Sequence, residues 1–192
     1  MRALHEAILS QGIGIGSDIV KVDMFLNHRI DTALLNRMGQ EIARHFAAKK
    51  PDIVLTVEAS GIALAVAAGM HLGGIPVVFA KKSQAVNQSS DLLCAPVYSF
   101  THKQQNMIRA DKRYLPAGSR VLIVDDFLAN GEAVRGMMDL VKQAGCQLAG
   151  VAVAIEKGFQ PGGQALRKEG VDLYALAVVD SIQDGHITLR EE

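Results

Sequence analysis

Residues 120–136 read Arg-Val-Leu-Ile-Val-Asp-Asp-Phe-Leu-Ala-Asn-Gly-Glu-Ala-Val-Arg-Gly and contain the strongest indication of the fold class in this sequence. The apolar run 121–124 is typical of a buried parallel strand. Two carboxylates, Asp125 and Asp126, follow where that strand is expected to end, and a glycine-containing turn then leads into a helix predicted over 132–143. This order places polar groups at the carboxyl end of a sheet strand, where open α/β sheets bind their ligands.

The chemistry of this stretch indicates a sugar phosphate. A turn that opens a helix offers free backbone N–H groups to an anion. The two carboxylates would repel a phosphate, so we expect them to bind another part of the same ligand. Ribose hydroxyls donate to carboxylates, and the same groups can hold Mg²⁺ through water. The alternative is that Asp125 and Asp126 only cap the following helix or remain solvated.

Residues 121–131 resemble the phosphoribosyl pyrophosphate (PRPP) binding motif of the type I phosphoribosyltransferases. Most members carry Thr-Gly and a further Thr or Ser where this chain has Asn130, Gly131 and Ala133. Phe-Leu-Ala-Asn-Gly, however, is the version found in bacterial xanthine phosphoribosyltransferases, and the resemblance to that subfamily runs along nearly the whole chain.

The resemblance implies an α/β fold of the type I phosphoribosyltransferase class, with a mainly parallel sheet flanked by helices. It also implies a single domain over residues 1–192. Within that domain, residues 1–30 would form a small hood, and residues from about 83 to 119 a flexible catalytic loop. A plain surface hairpin is the open alternative for the loop.

The resemblance further assigns residues to PRPP. Asp125 and Asp126 would fix the ribose as the catalytic pair, and small residues after the strand predicted over 53–57 match the pyrophosphate loop. Glycine lets backbone amides approach a diphosphate closely. The residues expected to bind PRPP are Ala129, Asn130, Gly131, Glu132, Ala133, Ser60, Gly61, Lys81 and Lys103. A solvated pair is the alternative for Lys81 and its neighbour Lys82.

Two further segments, 20–28 and 156–162, match the purine-binding parts of the subfamily. The residues expected to contact the base are Val20, Asn27, Lys157 and Phe159. An ammonium donates hydrogen bonds and accepts none, so Lys157 favours the oxo group of a 6-oxopurine over the amino group of adenine. Open alternatives are that Asn27 caps the next helix and that Phe159 packs in the core.

Composition excludes several function classes. The 20 basic residues balance the 20 acidic ones, which argues against a strong non-specific nucleic-acid binder. Cys94 and Cys146 are isolated and signal neither a metal site nor a disulfide framework. Residues 1–11 carry charges and no secretory signal, and the uncharged stretch 59–80 is interrupted by glycines and a proline. Residues 12–17 lack the preceding strand of a dinucleotide fingerprint. We therefore expect a cytoplasmic protein without a membrane span.

The resulting prediction is a purine salvage transferase that converts xanthine and PRPP to xanthosine 5′-monophosphate and diphosphate. The resemblance implies Mg²⁺ as cofactor, held mainly by PRPP and water without direct protein ligands, and a homodimer that binds no nucleic acid. The alternatives are a guanine/hypoxanthine or adenine enzyme, a PRPP-binding purine-operon regulator without catalysis, and a generic nucleotide-binding module. The regulator is disfavoured because only about thirty residues precede the first long helix, fewer than a separate DNA-binding domain needs.

Overall fold

The computed structural model describes residues 1–83, 91–99 and 104–191. The helices in these ranges are α1 (Arg2–Gln11), α2 (Thr32–Phe46), α3 (Gly61–His71), α4 (Glu132–Gln143) and α5 (Pro161–Lys168). The strands are β1 (Ile13–Ile15), β2 (Ile19–Lys21), β3 (Ile53–Val57), β4 (Val77–Ala80), β5 (Leu92–Ser99), β6 (Gln104–Asp111), β7 (Arg120–Leu128), β8 (Gln147–Lys157), β9 (Leu173–Gln183) and β10 (His186–Leu189).

Six strands form the central sheet in the order β10-β9-β8-β7-β3-β4. Neighbouring strands are parallel except for β10, which pairs antiparallel with β9. Helices α1, α2 and α3 bury their apolar residues on one face of the sheet, and α4, α5 and the β5–β6 hairpin bury theirs on the other. The predicted mainly parallel sheet flanked by helices is therefore confirmed.

The N-terminal segment packs as a small layer on the α1–α3 face. After α1, strands β1 and β2 form an antiparallel hairpin whose turn contains Gly16 at φ 60°, a left-handed conformation that favours glycine. A π-helical turn, Asp23–Asn27, follows and buries Phe25 and Leu26 in the core cluster that also contains residues of α1 and α2. The hood is predicted over residues 1–30; from here on the term refers to residues 13–27 of that segment, the β1–β2 hairpin and the π-helical turn.

The end of β7 differs from the prediction. The apolar run stops at residue 124, but the strand continues to Leu128 and includes both carboxylates. The reason is pairing: Asp125 lies opposite Val153 and Leu128 opposite Glu156 in the parallel ladder with β8. The expectation that the acidic pair follows the strand is wrong, because backbone hydrogen bonds to β8 extend β7 beyond its apolar residues. By contrast, α4 has the predicted bounds.

Within the segment 83–119, for which a flexible catalytic loop is predicted, strands β5 and β6 form an antiparallel hairpin with Cys94 opposite Arg109. Its inner residues, including Ala95 and Ile108, are buried against α4 and the sheet. Lys103 lies outside the described residues. Within the described ranges, no helix is long and apolar enough to cross a membrane. The single domain and the cytoplasmic location stay predictions.

Candidate active site

A cavity of about 450 Å³ opens at the carboxyl ends of β3 and β7, the size of many small-molecule sites. It is bounded by the ends of these two strands, by the start of α4 and by the β5–β6 hairpin. The residues that line it are Val57, Glu58, Ser60, Lys82, Val97, Tyr98, Asn106, Ile108 and residues 125–134.

The turn between β7 and α4, residues 129–133, has the form of an anion site, and we call it the phosphate turn. Gly131 has φ 91°, which lets the chain enter α4 at Glu132. The first N–H groups of that helix have no intrahelical acceptor and point towards the cavity end. Glu132, in the first turn of α4, also lines the cavity, and its negative charge opposes an anion bound there.

The acidic pair forms the floor of the cavity. Asp125 is 4% exposed and Asp126 is 7% exposed. The Oδ1 of Asp125 accepts a hydrogen bond from the backbone N–H of Asp126 at 2.9 Å. Burial first, and then the charge of Asp126, raise the pKa of Asp125 well above its ordinary value, while the charge of Lys82 opposes this shift. Asp125 therefore keeps its proton to a higher pH than a solvated aspartate does.

Residues 58–61, which we call the diphosphate loop, cover Asp125. The Glu58–Ala59 peptide bond is cis. A Cβ on Gly61 would collide with Thr56 Oγ1 and lie 2.7 Å from Asp125 Oδ1, so only glycine fits where the loop enters α3. Thr56 Oγ1 is buried and has no hydrogen-bond partner in the part of the chain that the structure describes.

The two lysines that follow β4 lie on different sides of the molecule. Lys82 lines the cavity, and its backbone N–H donates to Glu58 Oε1 at 2.6 Å. Lys81 places its Nζ 6.0 Å from the centroid of the Phe79 ring and lines a separate groove of about 560 Å³ that includes Tyr114. Successive residues of an extended chain face opposite ways, so one lysine of the pair reaches this cavity. That residue is Lys82, the second lysine of the pair, whereas the predicted PRPP-binding set contains Lys81.

One of the predicted base-binding residues, Asn27, contacts the acidic pair from the hood side. Asn27 Nδ2 donates to Asp126 Oδ2 over 3.5 Å, which connects the hood to the acidic pair. The alternative role of Asn27 as a cap for α2 is wrong, because Asp31 caps that helix by accepting from the N–H of Leu34 at 2.9 Å.

The end of β8 carries the other polar base-binding candidate. Lys157 Nζ donates to the backbone carbonyl of Asp18 in the hood at 2.6 Å. Burial lowers the pKa of Lys157, and the charge of Asp18 opposes the shift. Phe159 is 37% exposed, so its alternative role in the core is wrong, whereas Val20 is 7% exposed and packs in the core. None of these three residues lines the cavity itself.

The cavity also contains polar residues that the sequence analysis did not select. They are Glu58, Lys82, Tyr98 and Asn106. The position of Glu58 directly after a buried strand was a usable signal. Tyr98 and Asn106 lie on the two neighbouring strands of a hairpin, where Asn106 is opposite Val97, and sequence alone gives no register for that hairpin.

A family model and two similar relatives agree on the family of this chain. The model of the family "Phosphoribosyl transferase domain" matches residues 21–172. Proteins named xanthine phosphoribosyltransferase are similar over nearly their whole length: that of Bifidobacterium longum is 48% identical and covers 99% of this chain and 100% of its own. Its counterpart in Heliobacterium modesticaldum is 51% identical, with 97% of this chain and 98% of its own covered.

Solved structures of adenine phosphoribosyltransferases share the fold. The enzyme of Rhodothermus marinus superposes with a TM-score of 0.73 at 22% identity, covering 93% of this chain and 99% of its own. The enzyme of Giardia lamblia, complexed with 9-deazaadenine, also gives 0.73, at 18% identity with 91% and 96% covered. At these identities the likeness concerns the fold alone, and the predicted fold class is confirmed.

Proposed function

Since the chain belongs to the phosphoribosyl transferase domain family and, within it, to the xanthine phosphoribosyltransferases, we propose that it transfers the phosphoribosyl group of PRPP to xanthine. The products are xanthosine 5′-monophosphate and diphosphate, which makes the protein a purine salvage enzyme. The observation that carries this proposal is the cavity, in which a helix-opening turn, two carboxylates and a lysine surround one space.

In this proposal the non-reacting part of PRPP is held by β7 and the phosphate turn. The 5′-phosphate accepts hydrogen bonds from the backbone N–H groups of residues 129–133, and the ribose hydroxyls donate to Asp125 and Asp126. Because these groups of the sugar do not react, their binding energy orients C1 for the transfer.

The diphosphate leaving group lies under the diphosphate loop. Ser60 and Lys82 line the cavity. In the proposal, the backbone N–H groups of Ser60 and Gly61 bind the diphosphate, and Lys82 supplies a positive charge. The predicted contribution of Lys103 concerns a residue outside the described ranges. No side chain has to act as a nucleophile, because the enzyme only has to stabilise the departing charge and hold the purine nitrogen in line.

Magnesium fits the donors of this cavity. The described residues contain no cluster of three or more His, Cys, Asp or Glu side chains that could hold a metal ion. Mg²⁺ favours substrate phosphates and one or two carboxylates through water, and Asp125 and Asp126 are the carboxylates placed to do this. When bound, the ion would neutralise charge on the diphosphate.

The base is read from the hood side. Lys157 donates to an exocyclic oxygen of the purine, Asn27 contacts the purine edge, Val20 contributes an apolar wall and Phe159 stacks on the ring. Because Lys157 recognises any 6-oxopurine, guanine and hypoxanthine are the competing substrates, and adenine is disfavoured.

A homodimer is the second part of the proposal. β4 is an edge strand of the central sheet, and next to it lies the groove with Phe79 (40% exposed), Tyr114 (57% exposed) and Lys81. A second copy seated there would cover the apolar side chains and bring Lys81 to an interface, where it could reach the partner's diphosphate. Light scattering after size exclusion measures this state, and a monomer mass at micromolar concentration contradicts it.

The test of function is a spectrophotometric assay with xanthine, guanine, hypoxanthine and adenine, each with and without PRPP and Mg²⁺. We expect PRPP-dependent turnover with the highest kcat/KM for xanthine. Absence of turnover with all four bases, combined with binding to purine-operon DNA in a mobility-shift assay, would instead support the regulator alternative.

A further inference from the structure

Glu156 is a buried carboxylate, 3% exposed, that the proposed chemistry does not use. It lies at the carboxyl end of β8, next to Lys157 in sequence. Its Oε1 accepts from Arg167 Nη1 at 2.7 Å and its Oε2 accepts from Arg167 Nη2 at 2.6 Å. One guanidinium therefore occupies both oxygens in a bidentate pair, which is the most directional form of an ion pair. The Arg167 side chain is 41% exposed, so only the carboxylate is removed from water.

The backbone at the start of α5 lies between this pair and the phosphate turn. A Cβ on Gly163 would collide with Glu156 Oε1 and lie 2.6 Å from its Cδ, so the helix backbone rests directly on the carboxyl group. A Cβ on the preceding residue, Gly162, would lie 2.6 Å from the carbonyl carbon of Asn130 and 2.7 Å from the nitrogen of Gly131. The two consecutive glycines thus touch Glu156 and the phosphate turn respectively.

A hydrogen bond joins the same two segments. The backbone N–H of Gly162 donates to the carbonyl oxygen of Ala129 at 3.2 Å. Arg167 is on α5 as well, so Glu156 holds the helix twice, once through the backbone at Gly163 and once through the guanidinium. Any displacement of α5 relative to β8 would move the backbone against which the phosphate turn is packed.

We propose that Glu156 and Arg167 are positioning residues that hold the first turn of α5 against the phosphate turn and so fix the backbone N–H groups that bind the 5′-phosphate of PRPP. This inference rests on the proposed function. It also gives two neighbouring residues at the end of β8 different substrates. Glu156 affects the binding of the PRPP phosphate through α5, and Lys157 affects the binding of the base through the hood.

The KM values for PRPP and for xanthine distinguish a positioning role from a purely structural one, because a purely structural role would not change one KM selectively. Glu156→Gln keeps the shape of the side chain and one acceptor but removes the charge. We expect the KM for PRPP to rise about 3- to 10-fold, since small displacements of binding groups are costly. The KM for xanthine should stay within about twofold, because the hood contact of Lys157 is untouched.

A second variant reaches the same contact without changing a charge. Gly163→Ala places a methyl group against the Glu156 carboxyl and pushes α5 outward, and we expect the same selective effect on PRPP. Arg167→Lys, which replaces a bidentate guanidinium by a single ammonium, is the mildest variant and should give an intermediate KM. Should Glu156→Gln not fold, these two variants decide the question.

The matched control is Asp52→Asn. Asp52 forms the same kind of bidentate pair with Arg120, at 3.1 and 2.9 Å, but at the opposite end of β7. We expect this variant to leave both KM values unchanged, which separates loss of an ion pair in general from loss of this one.

Calorimetric titration with PRPP separates this inference from the proposed function. If wild type binds PRPP and the Glu156 and Gly163 variants bind it about 3- to 10-fold more weakly, the positioning role stands even if no base is turned over. Equal changes in the KM for PRPP and for xanthine, unchanged PRPP affinity in the folded variants, or the same loss in Asp52→Asn would each overturn it.

Discussion

Replacing Asp125 by Asn is expected to stabilise the protein while it lowers activity. The carboxyl group is buried beside Asp126, and burial followed by that neighbouring charge raises its pKa. An ionised carboxylate in such a place is costly to the folded state. Asn keeps the size of the side chain and the oxygen that accepts from the N–H of Asp126 at 2.9 Å.

The gain in stability follows from the removed charge. Relief of a destabilising group at an active site typically adds about 0.5–2 kcal/mol to the free energy of unfolding. For a chain of this length, about 1 kcal/mol shifts Tm by roughly 2–4 °C, so we expect a rise of about 1–8 °C.

The sign of the pH dependence is fixed by the raised pKa of Asp125. The ordinary pKa is 3.8 and the pKa in the folded state is higher. Below pH 3.8 the protonated Asp125 therefore makes its full contribution to the free energy of unfolding, and this contribution is lost as the pH rises through the folded pKa. Asn does not titrate. The advantage in Tm of the variant over wild type is therefore smallest in acid and reaches its maximum above the folded pKa.

The loss of activity follows from the ribose. A hydrogen bond to a charged acceptor contributes about 1.5–3 kcal/mol, which corresponds to about a 10- to 150-fold fall in kcat/KM for PRPP. Differential scanning fluorimetry between acid and neutral pH and initial rates at neutral pH measure the two effects on the same samples.

The control for both measurements is again Asp52→Asn. Arg120 lowers the pKa of Asp52 to about 2, so that carboxylate stabilises the fold above its ordinary value of 3.8 and loses this effect as pH falls towards 2. Its replacement should lower Tm slightly at neutral pH and leave kcat/KM unchanged. A lower Tm than wild type for Asp125→Asn at neutral pH would contradict the proposed cost of burying this carboxylate, and turnover of PRPP at the wild-type rate would contradict its role in ribose binding.

Three further changes test other parts of the cavity. Lys157→Met should raise the KM for xanthine about 10-fold through loss of a charged donor and leave the KM for PRPP unchanged, as initial rates would reveal; equal shifts in both would remove it from the base site. Lys82→Ala should raise the KM for PRPP by a similar factor, because it removes the cation inside the cavity, and a wild-type KM would contradict that role. Glu132→Gln should lower the KM for PRPP about 2- to 5-fold at low salt, with the difference shrinking as salt screens the charges; a rise would mean that the carboxylate helps rather than opposes binding.

The fold could be predicted from local patterns wherever the pattern and the tertiary contacts agree. The bounds of α4 follow from the alternation of apolar and polar residues after Gly131. The end of β7 could not be predicted, because the chain continues as a strand through Asp125 and Asp126 by pairing with β8. Likewise, the sequence alone does not distinguish the roles of Lys81 and Lys82, because the direction of the chain after β4 determines which of the two residues lines the cavity.

Under the proposed function, the hydrogen bonds around Lys157 and Asn27 explain how a base site can be built from residues that already contact protein. An ammonium has three donors, and the bond to the Asp18 carbonyl uses one of them. The amide of Asn27 has two N–H donors and a carbonyl, of which the contact with Asp126 uses one donor. Each residue thus has one bond that orients its polar group and further hydrogen-bonding capacity for a purine. Because the orienting partners belong to the hood and to the acidic pair, the position of the base is tied to the position of the ribose, which is the alignment that phosphoribosyl transfer requires.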